Sequence, residues 1–213
     1  TLDKSFEEIL EEIHKHANPN IYHRVFTNSV RFSEAIPKFL KKSLIKITTS
    51  IDAGTPETFK KVRGRPKFYN VFENLRTYSR IDPTKITIKY IFTEDNYEEK
   101  EIDGFVENCK KYELDKCNFQ ISMNYKNSNL EFSMLKSITY LFSQLYNNGI
   151  KKIFLDDHIM LRFGSLENGE LDEIKFYLSK YDSKHILLDP NQIKDLIIYG
   201  AGNIATEIIK KTN

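Results

Sequence analysis

Two periodicities alternate along this chain. Apolar residues recur three and four positions apart near residues 4–16 (Phe6, Ile9, Leu10, Ile13), 31–42, 68–79 (Phe68, Val71, Phe72, Leu75), 98–112 (Ile102, Phe105, Val106, Cys109) and 131–148 (Met134, Leu135, Ile138, Leu141, Phe142, Leu145). That spacing gives a helix one apolar face. Between these segments lie short β-rich runs at 21–27 (IYHRVFT), 44–51 (LIKITTSI), 85–92 (KITIKYIF), 117–123 (CNFQISM) and 151–157 (KKIFLDD). Strands separated by helices of this length predict βαβ crossovers and a parallel sheet, in a barrel-like succession of units without a sequence repeat.

The strands carry a second pattern. Lys46, Thr48, Ser50 and Asp52 alternate with Ile45, Ile47 and Ile51; Thr87 and Lys89 with Ile86, Ile88 and Tyr90; Asn118, Gln120, Ser122 and Asn124 with Phe119, Ile121 and Met123. Period-two alternation places each set on one face of its strand. Helices cover the apolar face, so the polar face is expected to line the concave interior of an open barrel. An antiparallel sheet with one wet face is the alternative, and the intervening helices are hard to place in it.

Composition narrows the function classes. The chain has 213 residues, 40% of them apolar, with 15 Phe and 12 Tyr, which suits a globular core. With 32 basic and 30 acidic residues the formal charge is +2, so no electrostatic footprint points to nucleic acid or to a membrane surface. No apolar run reaches the ~18 residues of a spanning helix. Two cysteines, Cys109 and Cys117, make no disulfide framework, and a cytoplasmic setting is expected.

Ligands of parallel α/β folds sit at the carboxyl ends of the strands. Thr27, Asn28, Ser50, Asp52, Thr93, Asn96 and Asn124 fall at or just beyond such ends. Ser50 and Asp52 can hold a hydroxylated or amino-bearing ligand between them. Arg63 follows a helical segment opened by Thr55-Pro56-Glu57 and can return to the same rim to bind a carboxylate in bidentate fashion. Capping of the next turn by Asp52, a left-handed helix end at Gly64 and a surface position for Arg63 are the structural alternatives.

These residues also carry a resemblance. ITTSIDAGTPETFKKVRG (47–64) with FYNVFENLRTYS (68–79) resembles the fourth strand and following helices of radical S-adenosylmethionine enzymes. LDKSFEEILEEIHKH (2–16) looks like the helix after that family's GGEP loop, and VFTNS (25–29) like its third strand, which usually ends in TNG. KYIFTEDNYEE (89–99) and CNFQISM look like its fifth and sixth strands. The resemblance implies an α/β fold: a partial (β/α)6 barrel of parallel strands, truncated at its N-terminus and spanning residues 1–160. It implies a parent enzyme that cleaves S-adenosylmethionine at a [4Fe–4S] cluster, draws on an electron donor and abstracts hydrogen from a small-molecule substrate. Ser50 matches the serine that contacts the methionyl carboxylate or ribose, and Arg63 the arginine that pairs with that carboxylate in some members. Asp52 belongs to the same motif, and Asn96 and Asn124 lie where ribose and adenosine contacts often arise.

One departure qualifies the match. The family holds its cluster with three cysteines spaced CxxxCxxC, and this sequence has no such motif. Cys109 falls on an apolar helix face and Cys117 at a strand start, so both are expected in the core. No catalytic residue and no bound cofactor are therefore expected in this chain, which is expected to be inactive alone. His14, His16, His23, His158 and His185 form no metal site by spacing; Asp156-Asp157-His158 can bind Mg²⁺ or form a solvated turn, the turn being the expectation.

At the far end LIIYGAGNIATEIIKKTN (196–213) reads as strand, glycine turn and helix, with GAGNIA at 200–205 opening a Rossmann-like domain or forming a bare turn. A partly helical connection is expected over 161–194 and the truncated domain over 195–213. The chain thus reads as a cut-out of a larger protein, with self-association through exposed surfaces expected. A non-catalytic binding or scaffolding module and a sugar- or nucleotide-modifying α/β enzyme are the alternatives.

Overall fold

The computed structural model describes residues 2–16, 23–124 and 131–180. In chain order the elements are α1 (Leu2–His16), β1 (His23–Phe26), α2 (Ala35–Lys41), β2 (Ile45–Ser50), α3 (Pro56–Arg63), α4 (Phe68–Ser79), a 3₁₀ turn (Pro83–Lys85), β3 (Ile86–Phe92), α5 (Glu99–Lys111), β4 (Asn118–Met123), α6 (Phe132–Asn147), β5 (Ile153–Leu155), α7 (Asp157–Gly164) and α8 (Asn168–Lys180).

The strands form one five-stranded sheet in the order β1-β2-β3-β4-β5, and every neighbouring pair is parallel. This removes the antiparallel alternative. Among the described residues β1 and β5 are edges that do not pair with each other, so the six-unit barrel expected from the resemblance is seen here as five strands of an open sheet.

One face of the sheet is the core. Ile45, Ile47, Ile86, Ile88, Tyr90, Phe92, Phe119 and Ile121 are buried, and the helices bring matching stripes to them. These stripes are Phe68, Val71, Phe72, Leu75 and Tyr78 on α4, Ile102, Phe105, Val106 and Cys109 on α5, and Leu135, Ile138, Leu141 and Leu145 on α6. Removing one such isoleucine side chain from water contributes about 2–3 kcal/mol. Cys109 and Cys117 lie in this core. Burial pushes the Cys117 thiol up to about 12 and raises Cys109 as well, so both stay protonated.

The ends of the elements have local causes. Thr55 caps α3 by accepting from the Thr58 N–H at 3.3 Å, Pro56 occupies the first turn, and Gly64 ends the helix at φ 69° with its N–H on the Lys60 carbonyl. Helix α1 packs on α2, where Lys38 reaches Glu7 and Glu11. The solvated turn expected at Asp156-Asp157-His158 is corrected at Asp156 alone; Asp157 and His158 are exposed. Asp156 is buried as the cap of α7, accepting from Ile159 N–H at 3.0 Å and from Met123 N–H at 3.1 Å, so it ties α7 to the end of β4. Helices α7 and α8 occupy most of residues 157–180; the rest of the expected connection, 181–194, and the GAGNIA turn at 200–205 lie outside the described residues.

Candidate functional site

The face of the sheet opposite the core carries its polar side chains in rows set by the parallel register. Thr48 stands beside Phe26 on one side and Thr87 on the other, and Thr87 beside Asn118. One step nearer the carboxyl ends, Ser50 stands beside Lys89, Lys89 beside Gln120, and Gln120 beside Phe154. Adjacent members of a row are about 5 Å apart by strand spacing. Ser50, Lys89 and Gln120 are half-buried. Phe26 and Phe154, on the edge strands, are 74% and 57% exposed. The face is therefore polar at its centre and aromatic at its edges.

Several groups on this face lack partners among the described residues. Ser50 and Lys89 make no side-chain hydrogen bond or ion pair to any described residue, and the buried Thr48 Oγ1 has none either. Gln120 reaches only Ser122 Oγ, at 3.4 Å. The arrangement can donate hydrogen bonds from hydroxyls and an amide around the Lys89 ammonium group, which suits an anionic, oxygen-rich ligand.

The loop after β2 explains the SIDAG segment. Asp52 sits at φ 56°, a conformation aspartate tolerates better than most residues, and only 3% of it is exposed. Its Oδ1 accepts from Ile91 N–H at 2.7 Å, and its Oδ2 accepts from Arg63 Nη2. Burial pushes the Asp52 carboxyl up to about 6, against the Arg63 charge and the Ile91 N–H, which favour the carboxylate. Arg63 pairs with an internal carboxylate, that of Asp52, and its Nε is buried without a partner among the described residues.

Glu101 on α5 completes the loop. Its Oε2 accepts from Gly54 N–H (2.8 Å) and Thr55 N–H (3.1 Å), and its Oε1 from the Thr55 hydroxyl (2.8 Å). A Cβ on Gly54 would lie 1.8 Å from the Glu101 carbonyl oxygen, so only glycine lets α5 approach.

The other candidates divide. Asn96 is fully buried and its amide is engaged by the fold: Nδ2 donates to the carbonyls of Asp52 (3.0 Å) and Ile91 (2.8 Å), and Oδ1 accepts from Thr93 N–H (2.7 Å). The Tyr90 hydroxyl donates to its carbonyl at 2.7 Å. Both polar atoms of the Asn96 side chain thus serve the loop. Asn124 is half-buried at the end of β4, its N–H on the Phe92 carbonyl. Beyond β1, Ser29 takes φ 51° and ties its hydroxyl to Thr49 Oγ1 at 2.8 Å, while Asn74 donates to its carbonyl. Glycine is the residue that favours such a left-handed backbone, and the hydroxyl bond to Thr49 helps hold serine in it.

Glu101 and Lys89 were not singled out from the sequence as site residues. An acidic residue beside Ile102, on the stripe that continues to Phe105 and Cys109, was the available signal for Glu101. Lys89 was visible as one polar-face residue, and only register places it beside Ser50.

Among the described residues no group of three or more His, Cys, Asp or Glu is placed to hold a metal ion, and no helix is long and apolar enough to cross a membrane. Compared with known proteins, the chain matches no family profile and no curated sequence.

Proposed function

We propose that this sheet is the cofactor-holding wall of a radical S-adenosylmethionine-type partial barrel, occupying residues 1–160 of this chain. In this reading Ser50 and Arg63 receive the methionyl carboxylate or ribose, Asp52 and Asn96 position the loops that carry them, and Asn124 borders the adenosine. The observation that supports it is the open Ser50 hydroxyl at the carboxyl end of β2, on the polar face, with Arg63 drawn back to the same loop by Asp52.

The donor set does not fit a [4Fe–4S] cluster. Cys109 and Cys117 are protonated core thiols on the helix-covered side, away from the polar face, and two thiols are fewer than the three such a cluster takes from this family. No reaction step through a cluster follows from these residues; binding and orientation of a polar cofactor is the role they support. A sugar- or nucleotide-modifying α/β enzyme is the second reading, favoured by the ammonium group of Lys89 on the same face, which suits a phosphate.

Equilibrium dialysis of S-adenosylmethionine against the 213-residue chain tests the proposal. Saturable binding, weakened about tenfold in S50A and in R63M, supports it, since loss of one charged or strong hydrogen bond is worth that much. No saturable binding, or equal binding by the variants, overturns it.

A further inference from the structure

The polar face holds more donors than the proposed cofactor contacts use. Lys89 projects from the middle of the sheet, flanked by Ser50 on β2 and Gln120 on β4, and no described residue pairs with its ammonium group. Asp52, whose carboxylate interacts with it electrostatically, is turned to Arg63 and the Ile91 N–H. One step deeper, Thr48 is only 5% exposed, lies on the same face by strand alternation, and its buried hydroxyl has no partner among the described residues. A buried hydroxyl without a partner costs free energy that a ligand oxygen would recover. A lysine with no ion-pair partner among the described residues, set among hydroxyl and amide donors on one face, is a point charge suited to a carboxylate or phosphate.

We propose that Lys89, with Thr48 and Gln120, forms an anion subsite that takes the carboxylate or phosphate group of a small-molecule substrate on the open face of the sheet. This deepens the reading above, because it assigns a second occupant to the face on which the cofactor is placed, and it names the substrate as anionic. Ser50 and Arg63 serve the cofactor at the rim; Lys89 and Thr48 serve the substrate further along the same face. The exposed rings of Phe26 and Phe154 border this face at the edge strands.

The test is a titration of the ¹⁵N-labelled 213-residue chain with inorganic phosphate and, separately, with succinate, at constant ionic strength held with chloride. Amide shifts at Thr48, Lys89 and Gln120 are expected to saturate with at least one of the two, and which one does distinguishes a phosphate from a carboxylate substrate. K89Q is expected to weaken that binding about tenfold or more, K89R to retain most of it, and K61Q, altering an exposed lysine paired with Asp95, to leave it unchanged. Lys89 is half-buried and without a protein partner, so K89Q is expected to keep the wild-type circular dichroism spectrum. Failure of both anions to give saturable shifts at these residues, or equal binding by wild type and K89Q, overturns the proposal. Anion binding that depends on Lys89 in a chain that fails to bind S-adenosylmethionine sustains the subsite and sinks only the cofactor reading; the reverse result sinks only the subsite.

Discussion

Gly104 on α5 touches Gly54 in the loop after β2: a Cβ on Gly104 would lie 2.6 Å from the Gly54 carbonyl oxygen. The contact is backbone on backbone and is made possible from both sides by the missing side chains. It fixes where α3 starts and hence where Arg63 returns. G54A is expected to destabilise the fold by more than about 3 kcal/mol, because its Cβ meets main chain that cannot rotate away. G104A gains about 1 kcal/mol of helix propensity and still loses stability overall. Urea denaturation of the two variants measures both; a G104A chain as stable as wild type would mean that α5 is not held against the loop.

The Glu101 carboxylate holds the same loop by hydrogen bonds. E101A leaves the N–H groups of Gly54 and Thr55 without an acceptor in a buried setting, at a cost of about 2–4 kcal/mol. E101Q keeps one oxygen and is expected to lose less. The ordering E101A below E101Q below wild type in urea midpoint is the outcome to look for, and equal midpoints would assign the carboxylate no structural part.

Asp52 gives the stability a pH dependence of definite sign. Its carboxyl is raised from 3.8 to about 6 in the folded chain. Between those values the folded chain holds a proton that the unfolded chain has released. The stability it contributes is therefore complete below about pH 4 and lost as pH rises through about 6, a change of about 3 kcal/mol. D52N keeps the Ile91 N–H acceptor and tolerates the positive φ, but has nothing to titrate. Measured against wild type, D52N is expected to gain relative stability as pH rises from 4 to 7. A difference that stays flat over that range would place the Asp52 titration elsewhere.

Cysteine placement bears on the cluster. Anaerobic reconstitution of the chain with iron and sulfide is expected to give no stoichiometric [4Fe–4S] absorbance and no 5′-deoxyadenosine, because both thiols are buried, protonated and on the core side of the sheet. A defined cluster signal with cofactor cleavage would contradict that placement.

Helices and strands were legible where burial alone sets the period. The stripe Phe68-Val71-Phe72-Leu75 gives α4 within its observed bounds, and the Ile86-Ile88-Tyr90-Phe92 alternation gives β3. The polar face was legible too, since Lys46, Thr48 and Ser50 share a parity. Less visible was what the polar residues do at long range. Asn96 and Asp52 sit at strand ends, as ligand-binding residues do, yet their partners are backbone groups of a neighbouring strand and Arg63. Such partners depend on tertiary contact, which no local pattern encodes. The single residue between β5 and α7 shows the same limit: Asp156 reads as a solvated acid until Met123 is brought beside it.

The central claim is that a polar cofactor lies on the polar face at the carboxyl ends of β2 to β4. The most direct measurement is a ¹H–¹⁵N correlation spectrum of the chain titrated with S-adenosylmethionine, including the Arg63 Nε–H signal. The account predicts saturable shifts at Ser50, Asn124 and Arg63 Nε–H, with Ile138 and Leu141 on α6 unmoved. Shifts confined to the helix layer, or none at saturating cofactor, would contradict it.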